Sequence, residues 1–116
     1  MKRCYSLKRN KEFRRVYRVG KSVRCHSMVL VYNKARHNTV KIGFSVSKKL
    51  GNSVTRNRIR RRMTEAVRLQ LDSIAAGHNL IFIAREPIKT EEFTHMMNSV
   101  GYLVRKASLL NNGDAQ

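Results

Sequence analysis

Between positions 56 and 68 the chain carries Arg56, Arg58, Arg60, Arg61, Arg62 and Arg68, with only Glu65 to offset them. Ordinary solvated helix faces mix Glu with Lys at i,i+4 spacing, so that the charges compensate. Here they repel one another until an anionic partner arrives. The residue type narrows that partner further, because a planar guanidinium forms fork-like pairs with phosphate and stacks on bases, which a lysine ammonium does not. The chemistry on offer is polyanion binding, and nucleic acid is the polyanion it suits.

Side chains able to cut a phosphodiester are not arranged to do so. A metal-dependent nuclease needs converging carboxylates, whereas Glu12, Glu65, Asp72, Glu86, Glu91, Glu92 and Asp114 are scattered along the chain. His26, His37, His78 and His95 show no spacing that suggests a paired acid and base. Cys4 and Cys25 stand apart from any Cys-x-x-Cys pattern, so they read as reduced thiols, neither a disulfide framework nor a zinc site. No phosphate-binding glycine loop or nucleophile motif appears. The polypeptide is expected to supply binding, without a catalytic residue or metal of its own, while hydrolysis belongs to another component.

Charge over the whole chain agrees. Lys and Arg number 25 against 7 Asp and Glu in 116 residues, a formal charge of +18. Such a chain repels itself and seeks an anion. A membrane surface would call for a wide apolar helix face with interfacial Trp, and there is no Trp. The start Met1-Lys2-Arg3 leads into polar residues, not an apolar run, and no stretch approaches a membrane span. The expectation is a cytoplasmic protein with one modest core, a single domain over 1–116 whose basic arm 1–9 and tail 108–116 are flexible.

The elements that must position the arginines follow from periodicity. A helix is predicted from about Asn10 to Val19, with Phe13, Val16 and Tyr17 on one side and Gly20 as its stop. A strand follows over about Ser22 to Lys34, with a further short strand possible within 22–27, and then another over about Thr39 to Ser47. The short polar link between them predicts an antiparallel hairpin. Val40, Ile42, Phe44 and Val46 share one face of the second strand, leaving Lys41, Gly43, Ser45 and Ser47 as a shallow polar surface. Ser53 is the expected N-cap of the arginine helix, with Ile59, Met63, Ala66 and Val67 on its packing stripe and Asn57, Arg61, Thr64 and Arg68 opposite. That helix is expected to end near Asp72 to Ala76, stopped by Gly77. A doubly covered apolar strand, His78 to Arg85, comes next. Thr90 is expected to cap a last helix, with Glu91 and Glu92 in its first turn.

Lys48-Lys49-Leu50-Gly51-Asn52-Ser53-Val54, then Arg56-Asn57-Arg58-Ile59-Arg60-Arg61 and Glu65-Ala66, resemble the Arg-Asn-Arg signature of the bacterial ribonuclease P protein component. Similarity extends to Phe13-x-x-Val16-Tyr17, Val29-Leu30-Val31-Tyr32, Gly43 to Lys49 and Leu80 to Arg85. The resemblance implies an α+β fold like the second domain of ribosomal protein S5: a single-domain sandwich of helices on a small mixed sheet, with a left-handed β-α-β crossover. It implies a protein subunit that assists an RNA subunit in the Mg²⁺-dependent removal of the 5′ leader from precursor tRNA. Arg56, Asn57, Arg58, Arg61 and Arg62, with Arg60 and Arg68 on the same cationic element, would contact the catalytic RNA. Phe13, Tyr17, Tyr32, Ser45, Ser47, Lys48 and Lys49 would line a cleft for the single-stranded leader. Neither a membrane nor a small-molecule substrate is implied, and Mg²⁺ would belong to the RNA-containing holoenzyme. The alternative is a general RNA-binding or chaperone-like module on a ribosomal-type fold, which explains the charge but not the Arg-Asn-Arg spacing. A protein-only nuclease is disfavoured by the scattered carboxylates.

Overall fold

A computed structural model of the chain describes residues 6, 7, 10–36 and 38–110. Helix α1 (Asn10–Val19) leads into β1 (Lys21–Arg24), β2 (Met28–Lys34) and β3 (Val40–Ser45). The arginine helix α2 (Ser53–Arg68), the strand β4 (His78–Ala84) and helix α3 (Phe93–Lys106) follow. The strands form one mixed sheet in the order β1-β2-β4-β3. Helices α2 and α3 cover one face and α1 the other, which is the expected α+β architecture.

The strand from Ser22 to Lys34 divides at Cys25–Ser27 into β1 and β2, which pair antiparallel as a hairpin of their own. The hairpin expected between β2 and β3 does not form. β4 lies between them, antiparallel to β2 and parallel to β3. The reason is visible in β4, where Leu80, Ile81 and Phe82 have no exposed surface. A strand apolar on both faces gains most from the centre of the sheet, and the loop after β2 has only to step over one strand, about 10 Å.

Pairing register fixes which side chains share a face. Met28, Leu30 and Tyr32 of β2 sit opposite Ala84, Phe82 and Leu80 of β4 on the face covered by α2 and α3. There Ile59, Met63, Ala66 and Val67 of α2, the stripe that helical spacing foretold, meet Met96, Val100, Leu103 and Val104 of α3. The other face carries Val31 and Ile81, covered by Val16 of α1 and by Leu7, with Phe13, Val29 and Ile83 around them.

Three boundaries differ from expectation. Asn52, not Ser53, caps α2: its Oδ1 accepts from Thr55 N at 2.9 Å. The helix stops at Arg68, where Gln70 Nε2 donates to the carbonyls of Ala66 and Met97, each at 3.0 Å, and ties its end to α3. Gly77, at φ +90°, instead serves the entry to β4. Thr90 closes a 3-10 turn (Glu86–Thr90) and α3 begins after Glu92, so Glu91 is not a first-turn residue. Its carboxylate turns inward and accepts from Ser27 Oγ at 2.9 Å and Ser99 Oγ at 3.2 Å.

Both ends are partly docked. Residues 1–5, 8 and 9 of the expected arm lie outside the described residues, but Leu7 is buried and its N–H donates to Ile42 O at 2.9 Å. Of the expected frayed tail, 111–116 lie outside the described residues, whereas Leu109 is buried and Leu110 bridges to Ile74. Apolar side chains at 7, 109 and 110 hold these segments despite the charge around them.

Candidate nucleic-acid interface

The polar side of α2 is not one uniform row of free arginines. Arg56 turns back on the helix entry, with Nε donating to Gly51 O at 3.1 Å and Nη2 to Ser53 Oγ at 3.4 Å. Arg60 Nη1 donates to Asn57 Oδ1 at 2.8 Å. Arg62 reaches across to the carbonyl of Glu91 at 2.8 Å, so it ties α2 to the turn before α3. Arg68 forms a two-point pair with Glu65, which lowers the Glu65 carboxyl and raises the guanidinium, the side-chain hydrogen bond being the first cause in each case. Arg58 and Arg61 are exposed and make no hydrogen bond or ion pair with the described residues. Val54, Asn57, Arg60, Arg61, Thr64 and Glu65 line a shallow groove of about 670 Å³ along the helix. Arg60 and Arg61 give the groove its cationic side, with Glu65 as its one acidic lining residue.

On the other face of the sheet, Phe13 and Tyr17 lie one helical turn apart, with ring centroids 6.5 Å apart and tilted by 46°. Their environments differ. Phe13 is half-buried with its ring seated on Gly43, where any Cβ would run into the ring. Tyr17 is 44% exposed. Val29 and Ile83 lie beside Phe13, and Ser45, opposite Ile83, faces the same way. Beyond Ser45, the Ser47 hydroxyl accepts from Lys49 N at 3.1 Å and starts the turn that sets Lys48 and Lys49 out in solvent.

Tyr32 does not join them. It pairs with Leu80 and packs into the α2/α3 core, on the opposite face of the sheet. Strand alternation puts Val31, not Tyr32, under α1. The sequence reading also passed over Arg62 as a tether, and over Lys34, Arg36 and Lys41, which gather at the far end of this face. Their only sequence signal was the Lys41 position on the polar side of β3.

No three His, Cys, Asp or Glu side chains among the described residues are placed to hold a metal ion. No helix among the described residues is long and apolar enough to cross a membrane.

The ribonuclease P family model matches residues 1–108. The chain belongs to the ribonuclease P protein family. Among its curated relatives, the ribonuclease P protein component of Clostridium beijerinckii is 40% identical over 115 residues, covering 93% of this chain and 92% of that protein. The Clostridium kluyveri protein is 43% identical over 107 residues, covering 90% and 96%. The solved ribonuclease P protein of Staphylococcus aureus superposes with a TM-score of 0.84 at 34% identity, covering 92% of this chain and 98% of that one. The Thermotoga maritima protein, at 21% identity and a TM-score of 0.81, shares the fold. The chain is thus the protein subunit of a ribonucleoprotein endoribonuclease of tRNA 5′ maturation, whose RNA carries the catalysis.

Proposed function

We propose that the two surfaces divide the work of this subunit. The polar face of α2, led by the outward Arg58 beside the groove and by Arg61 and Asn57 within it, docks the catalytic RNA through its phosphates. Arg56, Arg60, Arg62 and Arg68 support that surface, since their guanidinium groups already brace the helix entry, Asn57, the α3 turn and Glu65. The flank of α1 bearing Tyr17 and Phe13, continued by Ser45, Ser47, Lys48 and Lys49, receives the single-stranded 5′ leader. The exposed Tyr17 ring beside a seated Phe13, at the end of the sheet where α2 begins, is the observation that carries this reading. Aromatic faces stack bases without demanding sequence, and lysines with hydroxyls follow the backbone.

Placed this way, the protein holds the leader beside the catalytic RNA, so binding energy from a part of the substrate that does not react is used to position the cleavage site. Mg²⁺ serves in the RNA-containing holoenzyme. The chain acts in the cytoplasm as one ribonuclease P protein domain.

The deciding experiment is cleavage of a precursor tRNA by a bacterial ribonuclease P RNA at low Mg²⁺, with and without this protein, beside the protein alone. Strong stimulation with no activity from protein alone is expected. RNA binding without stimulation would leave only a general RNA-binding module.

A further inference from the structure

α1 crosses the sheet and divides the face beneath it. At about 100° per residue, Phe13 and Tyr17 emerge on one side of the buried Val16, and Glu12 and Arg15 on the other. On that second side lies a depression of about 400 Å³. Lys11 and Arg15 enter it from α1, Lys34 and Arg36 from the end of β2 and the loop after it, and Lys41 from β3. Five cations from three elements therefore converge, with Glu12 as the acidic group among the lining residues. Lys41 is half-buried and forms no ion pair with the described residues.

The floor changes character at the same place. Along this face β2 runs Val29, Val31, Asn33 and β4 runs Ile83, Ile81, Asn79, so apolar side chains give way to two amides. Asn79 Nδ2 donates to Asn33 Oδ1 at 3.2 Å, which leaves its second amide hydrogen available where it lines the depression. Amide donors beneath converging cations are what a phosphate oxygen would meet, whereas a sheet face built only for packing under α1 would continue with Val or Ile.

We infer that this depression is a second binding site for backbone phosphates of the catalytic RNA, separate from the α2 groove. The leader is not its occupant. Phe13 seated on Gly43 closes the passage along β3 between Ser45 and Lys41, so a strand on the Tyr17 flank would have to climb over α1 to reach it. Lys41 and Ser45 are four residues apart, about 13 Å along the strand. The protein therefore grips RNA at both ends of its sheet, which fixes the orientation of the subunit as a single contact on α2 could not.

This inference rests on the partnership with the catalytic RNA and not on the leader cleft, and the test separates the two. Affinity for a bacterial ribonuclease P RNA is measured against salt for the wild type, Lys34→Ala/Arg36→Ala, Lys11→Ala/Arg15→Ala and the charge-keeping Lys34→Arg/Arg36→Lys. Each alanine pair is expected to weaken binding about tenfold and to flatten the slope of log affinity against log salt by about one to two. The charge-keeping pair should bind like the wild type. The preference of the assembled holoenzyme for precursor over mature tRNA should not change. Unchanged affinity and slope in both alanine pairs would overturn the site, as would a loss seen only with leader-bearing tRNA. Because the two pairs lie on different elements, misfolding of one leaves the other to decide. Failure of the leader reading would show in Tyr17→Ala, which none of these variants touches.

Discussion

The α2 groove and the Tyr17 flank of α1 both suit RNA, yet they are built in opposite ways. On α2 the charge is abundant and much of it is spent internally: four of the arginines grip carbonyls, Ser53, Asn57 or Glu65, and Arg58 and Arg61 are left outward. On α1 two aromatic rings suffice, one seated on Gly43 and one free. Charge density therefore marks the element without separating its outward arginines from its braced ones, while the aromatic pair does the reverse: its residues are few, and only the sheet shows which face they occupy.

The sharpest way to break this contrast is on α2. Arg58→Ala/Arg61→Ala should weaken catalytic-RNA binding about 100-fold, near 2.7 kcal/mol, while Arg68→Ala should change it little because Glu65 already occupies that guanidinium. Equal losses would return α2 to a uniform cationic face. The next comparison sets Tyr32 against Tyr17. Tyr32→Ala should lower folding stability by about 2–3 kcal/mol in chemical denaturation and spare the preference for precursor tRNA, since it empties part of the α2/α3 core. Tyr17→Ala should keep stability and cut that preference about tenfold, the value of one stacked base. If Tyr32→Ala abolished the preference at unchanged stability, the assignment of faces would be wrong.

The smallest effect concerns Glu65 and Arg68. A carboxylate held below its ordinary pKa of 4.5 contributes stability that is present above that value and is lost as pH falls through the lower folded value. Both partners are exposed, so the contribution is small and screened by salt. The Tm gap between wild type and Glu65→Gln should be slight at neutral pH, close only below the ordinary carboxylate range, and vanish in high salt.

How much of this was legible depended on range. Asn10–Val19 could be read to the residue because its signals, the Phe13/Val16/Tyr17 stripe and Gly20, are local. The α2 start was legible to one residue, since Asn52 and Ser53 are both competent caps and only the hydrogen bond to Thr55 decides. Its end was not, because Gln70 stops the helix by reaching Met97, 27 residues away. The same holds for the sheet, where β2 and β3 are close in sequence but β4 is the better partner of both. Tyr32 was misplaced for the simplest reason: Val29-Leu30-Val31-Tyr32 is apolar throughout, so the run shows a strand without showing which side faces α1.

One small contact has a wider reach than its size suggests. β3 is an edge strand, and an edge with unpaired backbone groups is a template on which another chain can add a strand. Ser6 bridges to Ile42 and Leu7 N–H takes the Ile42 carbonyl, so the stretch ahead of α1 blunts that edge midway along. Self-repulsion at +18 keeps copies apart in free solution, and that repulsion weakens once RNA neutralises the charge. The Ser6–Leu7 clasp is thus a safeguard against strand-to-strand self-association that counts most when the protein is bound to its partner.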